Sequence, residues 1–253
     1  MSHQVGRPAG RLARFQVKLR RGETRVGYTA DKRGGPTDAP TAWYRPGRLI
    51  GGLTLSPLLA LLSGPLSAAA PVDVNQIITT ACAACHTQTG NSVVTQFPKL
   101  AGQAPDYLAK QLTDVKSGVR KSEVMSPIAT KLSNAEIKAL ASYFAGQART
   151  PGVVGNSKLV AAGAVVYNEG NKENGVPACA GCHMPDGRGA PRFPLVASQH
   201  ADYVVAQLKA FKAGTRSNDL GKIMRAVASR MTDDEMTSVA QYIASLPVPT
   251  ASR

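Results

Sequence analysis

The sequence predicts an all-α protein made of two tandem copies of one small helical unit, which follow a cleavable leader. Three observations predict this arrangement. The chain after residue 71 repeats itself at an offset of about 97 residues, and each copy contains apolar residues at helical spacing. No segment shows the apolar/polar alternation of a β-strand.

Residues 1–70 are interpreted as a leader that exports the chain. Arg45 and Arg48 precede an apolar run over residues 49–66, and the small residues after it suit signal peptidase, with cleavage expected after Ala69. Because Gly and Pro interrupt this short run, we favour a removed signal over an uncleaved membrane anchor. The first 44 or so residues are either an unusually long leading region or the result of a start codon assigned too far upstream. Export indicates a bacterial periplasm.

The charge distribution argues against a nucleic-acid partner. The chain has 253 residues, 43% of them hydrophobic, and a formal charge of +14. The leader holds 11 of the 30 Lys and Arg residues and only 3 of the 16 Asp and Glu residues. The rest holds 19 basic and 13 acidic side chains, a balance of +6, which is too small to indicate a nucleic-acid footprint.

The internal repeat defines two domains, residues 71–150 and 159–253, joined by a linker at 151–158. A Cys-x-x-Cys-His motif, a Phe-Pro block, a Tyr-x-x-x-Gln-Leu pattern and a Gly-x-Arg block recur in the same order, with small gaps between them. The segment between the copies is rich in turn residues and poor in apolar ones. A duplicated unit explains this agreement far better than chance.

Each copy is expected to contain two amphipathic helices. The first follows the Phe-Pro block, with Pro105 in its first turn and apolar side chains at helical spacing. These side chains are Tyr107, Leu108, Leu112 and Val115 in the first copy and Tyr203, Val204, Leu208 and Phe211 in the second. The last helix of each copy begins at a capping box, formed by Ser133 with Glu136 and by Thr232 with Glu235. Its expected buried faces are Ile137, Leu140, Ala141 and Phe144, and Met236, Val239, Ala240 and Ile243.

All four cysteines lie in two copies of Cys-x-x-Cys-His, the attachment pattern of c-type haem. The residues are Cys82, Cys85 and His86 in the first motif and Cys179, Cys182 and His183 in the second. Two thiols one helical turn apart can reach the two vinyl groups of a porphyrin, and the next residue then projects its imidazole onto the iron. The sequence therefore predicts two covalently attached haem c groups.

Three other uses of the cysteines fit less well. A redox-active dithiol normally occurs once, near a strand-helix-strand pattern. A four-cysteine zinc site would join pairs 97 residues apart and leave both histidines unexplained. A disulfide within Cys-x-x-Cys is strained and is rarely structural.

Met125 and Met224 are the expected axial ligands on the opposite face of each iron. They lie 39 and 41 residues after the two histidines and coincide under the repeat. His200 is the only other histidine after the leader, so two bis-histidine haems cannot form from this chain alone. Because His200 aligns with Ala104 just before a helix, we expect it to be exposed or to cap that helix.

Two further pairs of residues have weaker assignments. Pro98 and Pro194 lie 12 and 11 residues after the histidines, where a carbonyl could accept the imidazole N–H. The alternative is a rigid turn. Arg120 and Arg216 could neutralise haem propionates, or they could be solvated surface side chains.

Taken together, these residues resemble the cytochrome c4 family of dihaem cytochromes. The resemblance covers residues 72–248 and includes the segment Phe97-Pro98-Lys99-Leu100-Ala101-Gly102-Gln103 as well as the motifs above. It implies two class I cytochrome c domains packed about a pseudo-twofold axis, with haems close enough for rapid exchange. It also implies a periplasmic shuttle between a donor, such as a cytochrome bc complex or a dehydrogenase, and a haem-copper terminal oxidase, with peripheral membrane association. The long leader and Pro127 beside Met125 depart from the family pattern.

The expected function is transfer of single electrons, without catalysis of a reaction by the chain itself. His/Met ligation fills both axial positions and raises the reduction potential relative to ligand sets without the thioether, which suits a carrier. The alternative is a dihaem enzyme of the peroxidase or thiosulfate dehydrogenase type, but an active-site haem usually differs from its partner. A third reading, an electron-accepting subunit of a dehydrogenase, shares the same sequence chemistry.

Overall fold

The computed structural model describes residues 72–249. The leader features predicted above, including Arg45, Arg48, the apolar run and the cleavage site at Ala69, lie outside the described residues. Between residues 72 and 249, no helix combines the length and the hydropathy needed to cross a membrane.

The first repeat consists of five α-helices and one π-helical turn. Asp73 caps the first helix by accepting the N–H of Gln76 at 3.0 Å. The elements are α1 Val74–Ile77, the π-turn Ile78–Cys82, α2 Ala83–His86, α3 Pro105–Lys116, α4 Ser126–Ala129 and α5 Asn134–Ala145. Helix α3 packs against α4 and α5, and α1 packs against α5.

The second repeat follows the same order with a longer first helix. Its elements are a 3-10 turn Ser157–Leu159, α6 Val160–Glu169, α7 Ala180–His183, α8 Ala201–Lys212, a 3-10 turn Leu220–Lys222, α9 Ile223–Ala228 and α10 Asp233–Ser245. Within the part of the chain that the structure describes, extended pairing is limited to two isolated bridges. The all-α prediction is therefore confirmed.

The helix boundaries predicted from caps and spacing are confirmed. Pro105 begins α3, and its fixed φ suits a first helical turn, where its missing N–H has no partner to lose. Both capping boxes form: Ser133 and Glu136 exchange hydrogen bonds at the start of α5, and Thr232 and Glu235 do so at the start of α10. Met231 lies just before the start of α10 and is buried in the core.

Each repeat buries its own apolar core. The predicted faces of α5 and α10 are buried, so the helical spacing correctly identified the side that faces inward. The first core consists of Ile78, Leu108, Leu132, Ile137, Leu140, Ala141 and Phe144. The second includes Val166, Tyr167, Leu208, Phe211, Met231, Met236, Val239 and Ile243.

Helices α6 and α10 approach each other closely at Gly163. A Cβ atom at Gly163 would lie 2.0 Å from the carbonyl oxygen of Ser238 and 2.6 Å from its carbonyl carbon. Only a residue without a side chain fits at this crossing, because both neighbouring atoms belong to the backbone of α10.

The two repeats contact each other through reciprocal glutamine bonds. Gln103 donates its amide to the carbonyl of Leu195 at 2.8 Å and accepts the N–H of Leu195 at 2.9 Å. Gln199 does the same to Lys99, at 3.0 and 2.9 Å. Both glutamine side chains are buried, so these four bonds fix the pairing of the two repeats in the way a pseudo-twofold axis requires.

Candidate haem sites

The first Cys-x-x-Cys-His motif spans the end of the π-turn and helix α2. Cys82 ends the π-turn, and Cys85 and His86 lie on the short helix that follows. Burial raises the pKa of the Cys82 thiol. The π-turn inserts one extra residue per turn just before the motif, a feature often found at functional positions.

His86 is oriented by the carbonyl of Pro98. Its Nδ1 lies 3.0 Å from that oxygen, and because a carbonyl can only accept, Nδ1–H is the donor. The side chain is 6% exposed, and burial lowers its pKa while the bond to Pro98 opposes that shift. With Nδ1 occupied, Nε2 of a neutral imidazole is left as the atom that can bind a metal.

The second motif repeats this geometry. Cys179 precedes α7, which carries Cys182 and His183, and His183 Nδ1 donates to the carbonyl of Pro194 at 3.0 Å. Phe193 lies edge-on to His183, with ring centroids 6.0 Å apart, as Phe97 does to His86 at 6.2 Å in the first motif. Burial raises the pKa of the Cys179 thiol to about 11.

The proline loops are held in place by main-chain bonds to a glycine carbonyl. In the first repeat, Gly90 accepts the N–H groups of Leu100 and Ala101 at 2.7 and 3.1 Å. In the second, Gly187 accepts those of Val196 and Ala197 at 2.8 and 3.1 Å. These bonds aim the carbonyls of Pro98 and Pro194 at the two imidazoles.

The two candidate methionines lie at the start of a short helix in each repeat. Met125 is the N-cap of α4, and its N–H donates to the hydroxyl of Ser122 at 3.1 Å. Pro127 lies in the first turn of α4, where proline is well tolerated, so it does not disturb this loop. Met224 is the second residue of α9. Both side chains are only partly buried, unlike Met231 and Met236, which are core residues.

A cavity of about 480 Å³ lies beside the second motif. Cys179, His183 and Met224 line it together with apolar side chains, and its wall continues to residues of the first repeat. A largely apolar space lined by a thiol that can attach a porphyrin, and by an imidazole and a thioether that can bind iron, fits a covalently bound haem.

The arrangement does not resemble a zinc site. Among residues 72–249, no three His, Cys, Asp or Glu side chains gather in a way that would hold a metal ion. The two cysteine pairs pack against separate cores, with Cys82 beside the first and Cys179 beside the second.

Arg120 and Arg216 lie in a cluster that joins the repeats. Arg120 donates to Gln111 of its own repeat and to Tyr203 and Gln207 of the second repeat, at 2.8–3.2 Å. Arg216 donates to Gln207 of its own repeat and to Tyr107 and Gln111 of the first repeat, at 2.7–3.1 Å. The acceptors are Gln111 and Gln207 and the hydroxyls of Tyr107 and Tyr203. Arg216 also lies over the ring of Phe211 at 4.5 Å and is only 7% exposed. Arg216 is therefore not a solvated surface side chain, whereas Arg120 is only partly buried.

His200 is buried, contrary to the expectation of an exposed or capping residue. It is 4% exposed, and its Nε2–H donates to the carbonyl of Ser92 in the other repeat at 2.9 Å. The sequence comparison of the two copies could not reveal this contact, because Ser92 and His200 meet only when the repeats pack together. Nε2 of His200 is thus engaged by a carbonyl and is not free to bind a metal.

Comparison with known proteins agrees with this geometry. A family model described as cytochrome c matches residues 72–147 and again 160–247. Cytochrome c4 of Thiocapsa roseopersicina is 44% identical over 168 residues, covering 65% of this chain and 86% of the relative. The chain belongs to the cytochrome c4 family. The crystal structure of reduced recombinant cytochrome c4 from Pseudomonas stutzeri superposes with a TM-score of 0.66 at 35% identity, covering 70% of this chain and 99% of that one.

Membership of the cytochrome c4 family establishes the cofactor and the general role. The chain carries two covalent haem c groups, one for each Cys-x-x-Cys-His motif, and transfers electrons rather than catalysing a reaction of its own. Its partners are therefore redox proteins. One further relative is the thiosulfate dehydrogenase electron acceptor of Stutzerimonas stutzeri, 39% identical over 170 residues, which covers 66% of this chain and 79% of the relative.

Several residues at the contact between the repeats were missed by the sequence reasoning. Tyr107 and Gln111 are four residues apart and share a helix face, as do Tyr203 and Gln207. A polar pair repeated on an otherwise apolar helix face could have indicated this contact.

Proposed function

We propose that His86 and Met125 are the axial ligands of the first haem iron, and that His183 and Met224 are those of the second. The observation that supports this most strongly is the repeated bond from histidine Nδ1 to a proline carbonyl, which leaves Nε2 of each buried ring for the iron. Cys82 and Cys85 hold the first haem through thioether bonds, and Cys179 and Cys182 hold the second. The two binding units are the domains 71–150 and 159–253.

These side chains would hold both irons without an open coordination site. Each haem, when bound, supplies a ferric/ferrous couple that accepts and releases one electron. The Pro98 and Pro194 carbonyls fix the rings and strengthen the imidazoles as donors. Met125 and Met224, as ligands of the two irons, would leave no coordination site for oxygen or peroxide. This arrangement favours a carrier over a peroxidase.

Arg120 and Arg216 neutralise the haem propionates in this proposal. Both guanidinium groups lie at the contact between the repeats, and residues of their cluster line the same cavity as His183 and Met224. Buried propionates need a hydrogen-bonded cation, and a guanidinium can bind a carboxylate through two parallel bonds.

The proposed setting is the bacterial periplasm, reached through the signal sequence at residues 45–70, with peripheral membrane association. Donors are a cytochrome bc complex or a dehydrogenase, and the acceptor is a haem-copper terminal oxidase. The second candidate is a dedicated electron acceptor of thiosulfate dehydrogenase, which the similarity to the Stutzerimonas stutzeri relative favours.

An optical spectrum of the purified holoprotein, oxidised and reduced, tests the ligand assignment. Two low-spin haems with the methionine–iron charge-transfer band, unchanged by carbon monoxide, are expected. A high-spin component or carbon monoxide binding at one haem would show that one iron is open and would favour the enzyme.

Stopped-flow reduction separates the two candidate roles. The ferric protein is mixed with a thiosulfate dehydrogenase and thiosulfate, and in parallel with a reduced cytochrome bc complex. Rapid reduction by the dehydrogenase alone favours the dedicated acceptor, whereas rapid reduction by the bc complex, followed by reoxidation by a terminal oxidase, supports the respiratory shuttle.

A further inference from the structure

The loop that leads to Met224 is bound to the first repeat. Asn218 is 7% exposed, and it donates its side-chain amide to the carboxylate of Asp114 at 2.6 Å and to the side-chain oxygen of Gln111 at 3.0 Å. The main-chain carbonyl of Asn218 accepts from the ammonium group of Lys110 at 2.8 Å. Both protons of the amide are therefore used by helix α3 of the other repeat.

Asn218 is also fixed within its own repeat. Its side-chain oxygen accepts from Nε of Arg216 at 3.2 Å. A buried amide whose donors and acceptor are all bonded holds one orientation, because rotation would leave a buried polar group without a partner. Asn218 therefore fixes the loop on α3.

Asp219 connects this contact to helix α9. Its carboxylate accepts the main-chain N–H of Arg225 at 3.0 Å and the side-chain Nε of Arg225 at 2.7 Å. The Asp219 side chain is 4% exposed, so water competes little for these charge-assisted bonds. Arg225 directly follows Met224, which is the second residue of α9. The bonds of Asn218 and Asp219 thus join α3 of the first repeat to the residue next to Met224.

The loop between Asp219 and Met224 has an unfavourable local conformation. Gly221 and Lys222 are both left-handed, with φ of 61° and 60°. For lysine this conformation is costly, because its Cβ approaches the following carbonyl oxygen. Lys222 is the N-cap of α9 and makes no side-chain bond there, so the carboxylate of Asp219 takes that role. The position of α9 therefore depends on Asp219, and through it on Asn218.

The loop that leads to Met125 is held differently. The hydroxyl of Ser122 accepts the N–H of Met125 at 3.1 Å, and the carbonyl of Ser122 accepts the N–H of Ser126 at 2.9 Å. Ser122 lies two residues after the arginine of its repeat, as Asn218 does in the second repeat. The first loop is therefore fixed by bonds within itself, whereas the second is fixed on the opposite repeat.

A reciprocal contact cannot form on the other side. Under the alignment of the copies, Ala206 and Ala210 of α8 stand where α3 has Lys110 and Asp114. An alanine side chain can neither donate nor accept a hydrogen bond. Helix α8 therefore cannot anchor the first loop as α3 anchors the second.

The arginines of the two loops do not account for this difference. Arg120 and Arg216 each donate to the tyrosine and the glutamine of the opposite repeat. This bonding is the same in both directions. The anchoring through Asn218 is thus what distinguishes the loop of Met224 from the loop of Met125.

We propose that Asp114 of the first repeat positions Met224, through Asn218, as a ligand of the second haem iron. This rests on the ligand assignment proposed above. Lys110 and Asn218 line the same cavity as Met224, so the anchor lies at the wall of the site that it supports. The second haem keeps its thioether by means of the opposite repeat, whereas the methionine of the first haem is held by its own loop.

Cyanide binding to the ferric holoprotein tests this proposal. Cyanide binds a closed haem iron only after the methionine has left, so its apparent affinity reports how easily each methionine dissociates. Isotope-labelled methionine methyl groups are followed by NMR during the titration. Their signals are assigned with the Met125→Ala and Met224→Ala proteins, so that the two haems titrate separately.

Asp114→Ala removes the anchor from the first repeat. Asp106→Ala, at an exposed position of the same helix, is the matched control. The charge of Asp114 also acts on Arg120. Asp114→Asn separates the two effects, because it loses the charge but keeps an oxygen that can accept from Asn218. Asn218→Ala provides a second removal of the anchor if Asp114→Ala does not accumulate as holoprotein.

The expected result for Asp114→Ala is a rise of about tenfold or more in the cyanide affinity of the second haem, because a hydrogen bond to a charged group changes an equilibrium by roughly that factor. The first haem and the control should change much less, and Asp114→Asn should stay close to the unmodified protein. Ser122→Ala should have the converse effect, on the first haem alone.

Three results would overturn the proposal. They are an unchanged second haem, equal changes at both haems, and an effect of Asp114→Asn as large as that of Asp114→Ala. Failure of the ligand assignment gives a different result, which is visible without any substitution at the anchor. In that case the methyl signal of Met224 in the unmodified protein lacks the strong shift of an iron-bound thioether.

Discussion

Replacing Gly163 by alanine tests how closely α6 and α10 are packed. The added Cβ would lie 2.0 Å from the carbonyl oxygen of Ser238, whereas ordinary contact begins at 3.4 Å, so the helices would have to separate by 1.4 Å at this point. The obstructing atoms belong to the backbone of α10 and cannot rotate away. Such a separation loosens contacts along the interface, which includes Tyr167 and Val239.

The expected net loss for Gly163→Ala is about 2 kcal/mol of unfolding free energy. Overpacking a close contact costs roughly 1–3 kcal/mol, and rigid backbone neighbours place this site at the upper end. The alanine recovers about 1 kcal/mol through its better helix propensity. In guanidinium chloride this loss lowers the unfolding midpoint by about 0.5 M.

Gly181→Ala is the matched control for this measurement. A Cβ at Gly181 would meet nothing within 4 Å, and the change makes the second motif Cys-Ala-Ala-Cys-His, identical to the first. Unfolding of the ferric holoprotein is followed by circular dichroism and by the haem absorbance. If Gly163→Ala is as stable as the control to within about 0.5 kcal/mol, the helices are not as tightly packed as the structure indicates.

Five further substitutions, in three tests, have defined outcomes. Met224→Ala removes a proposed iron ligand, so carbon monoxide should bind one haem per chain. Met231→Ala instead empties a core position, so it should leave the spectrum low-spin and lower the free energy of unfolding by about 2–5 kcal/mol. Glu235→Gln weakens the bonds from the Asn171 and Asn174 amides as well as the capping box, so it should lower the free energy of unfolding by about 1 kcal/mol at pH 7. The carboxylate of Glu136 takes part only in a capping box, so Glu136→Gln should lower the free energy of unfolding by less. Burial opposes ionisation of Glu235, but these bonds lower its pKa below the unfolded value, so its contribution is complete above about pH 4.5 and is lost as the pH falls through the folded pKa. Tyr107→Phe removes an acceptor of a buried arginine and should cost about 1–2 kcal/mol.

Each of these results can contradict its premise. If carbon monoxide binds the Met231→Ala protein and not the Met224→Ala protein, Met231 is the iron ligand and Met224 is not. A Glu235→Gln deficit that does not shrink at all as the pH falls below 4.5 would show that the carboxylate does not act through its charge. For Tyr107→Phe, the test is a double-mutant cycle with Arg216→Gln in chemical denaturation, and a coupling energy near zero would mean that the bond between them adds nothing.

Local patterns predicted most of the secondary structure. The capping boxes at Ser133 and Thr232 specify where the last helices begin. Each box is a local structure, formed by two backbone N–H groups and two side chains that lie three residues apart. The apolar faces of α5 and α10 followed directly from helical spacing. The π-turn before the first motif was not predictable, since one inserted residue leaves no compositional signature.

Contacts between the repeats could not be predicted from either copy alone. Arg120 meets Tyr203, and His200 meets Ser92, across 83 and 108 residues of sequence. Their partners depend on how two folded units pack. The sequence indicated that Arg120 and Arg216 are equivalent, but their bonds across the repeats and the burial of Arg216 required the assembled structure.

The reciprocal bonds of Gln103 and Gln199 have a consequence for how the chain is assembled. Each side chain imitates a peptide group and pairs with the main chain opposite, so the contact has the self-complementary form of a symmetric homodimer interface. The linker then acts mainly by keeping the two halves at high effective concentration. A chain opened within the linker would retain both faces of this interface, so its fragments should find each other in solution and pair one to one.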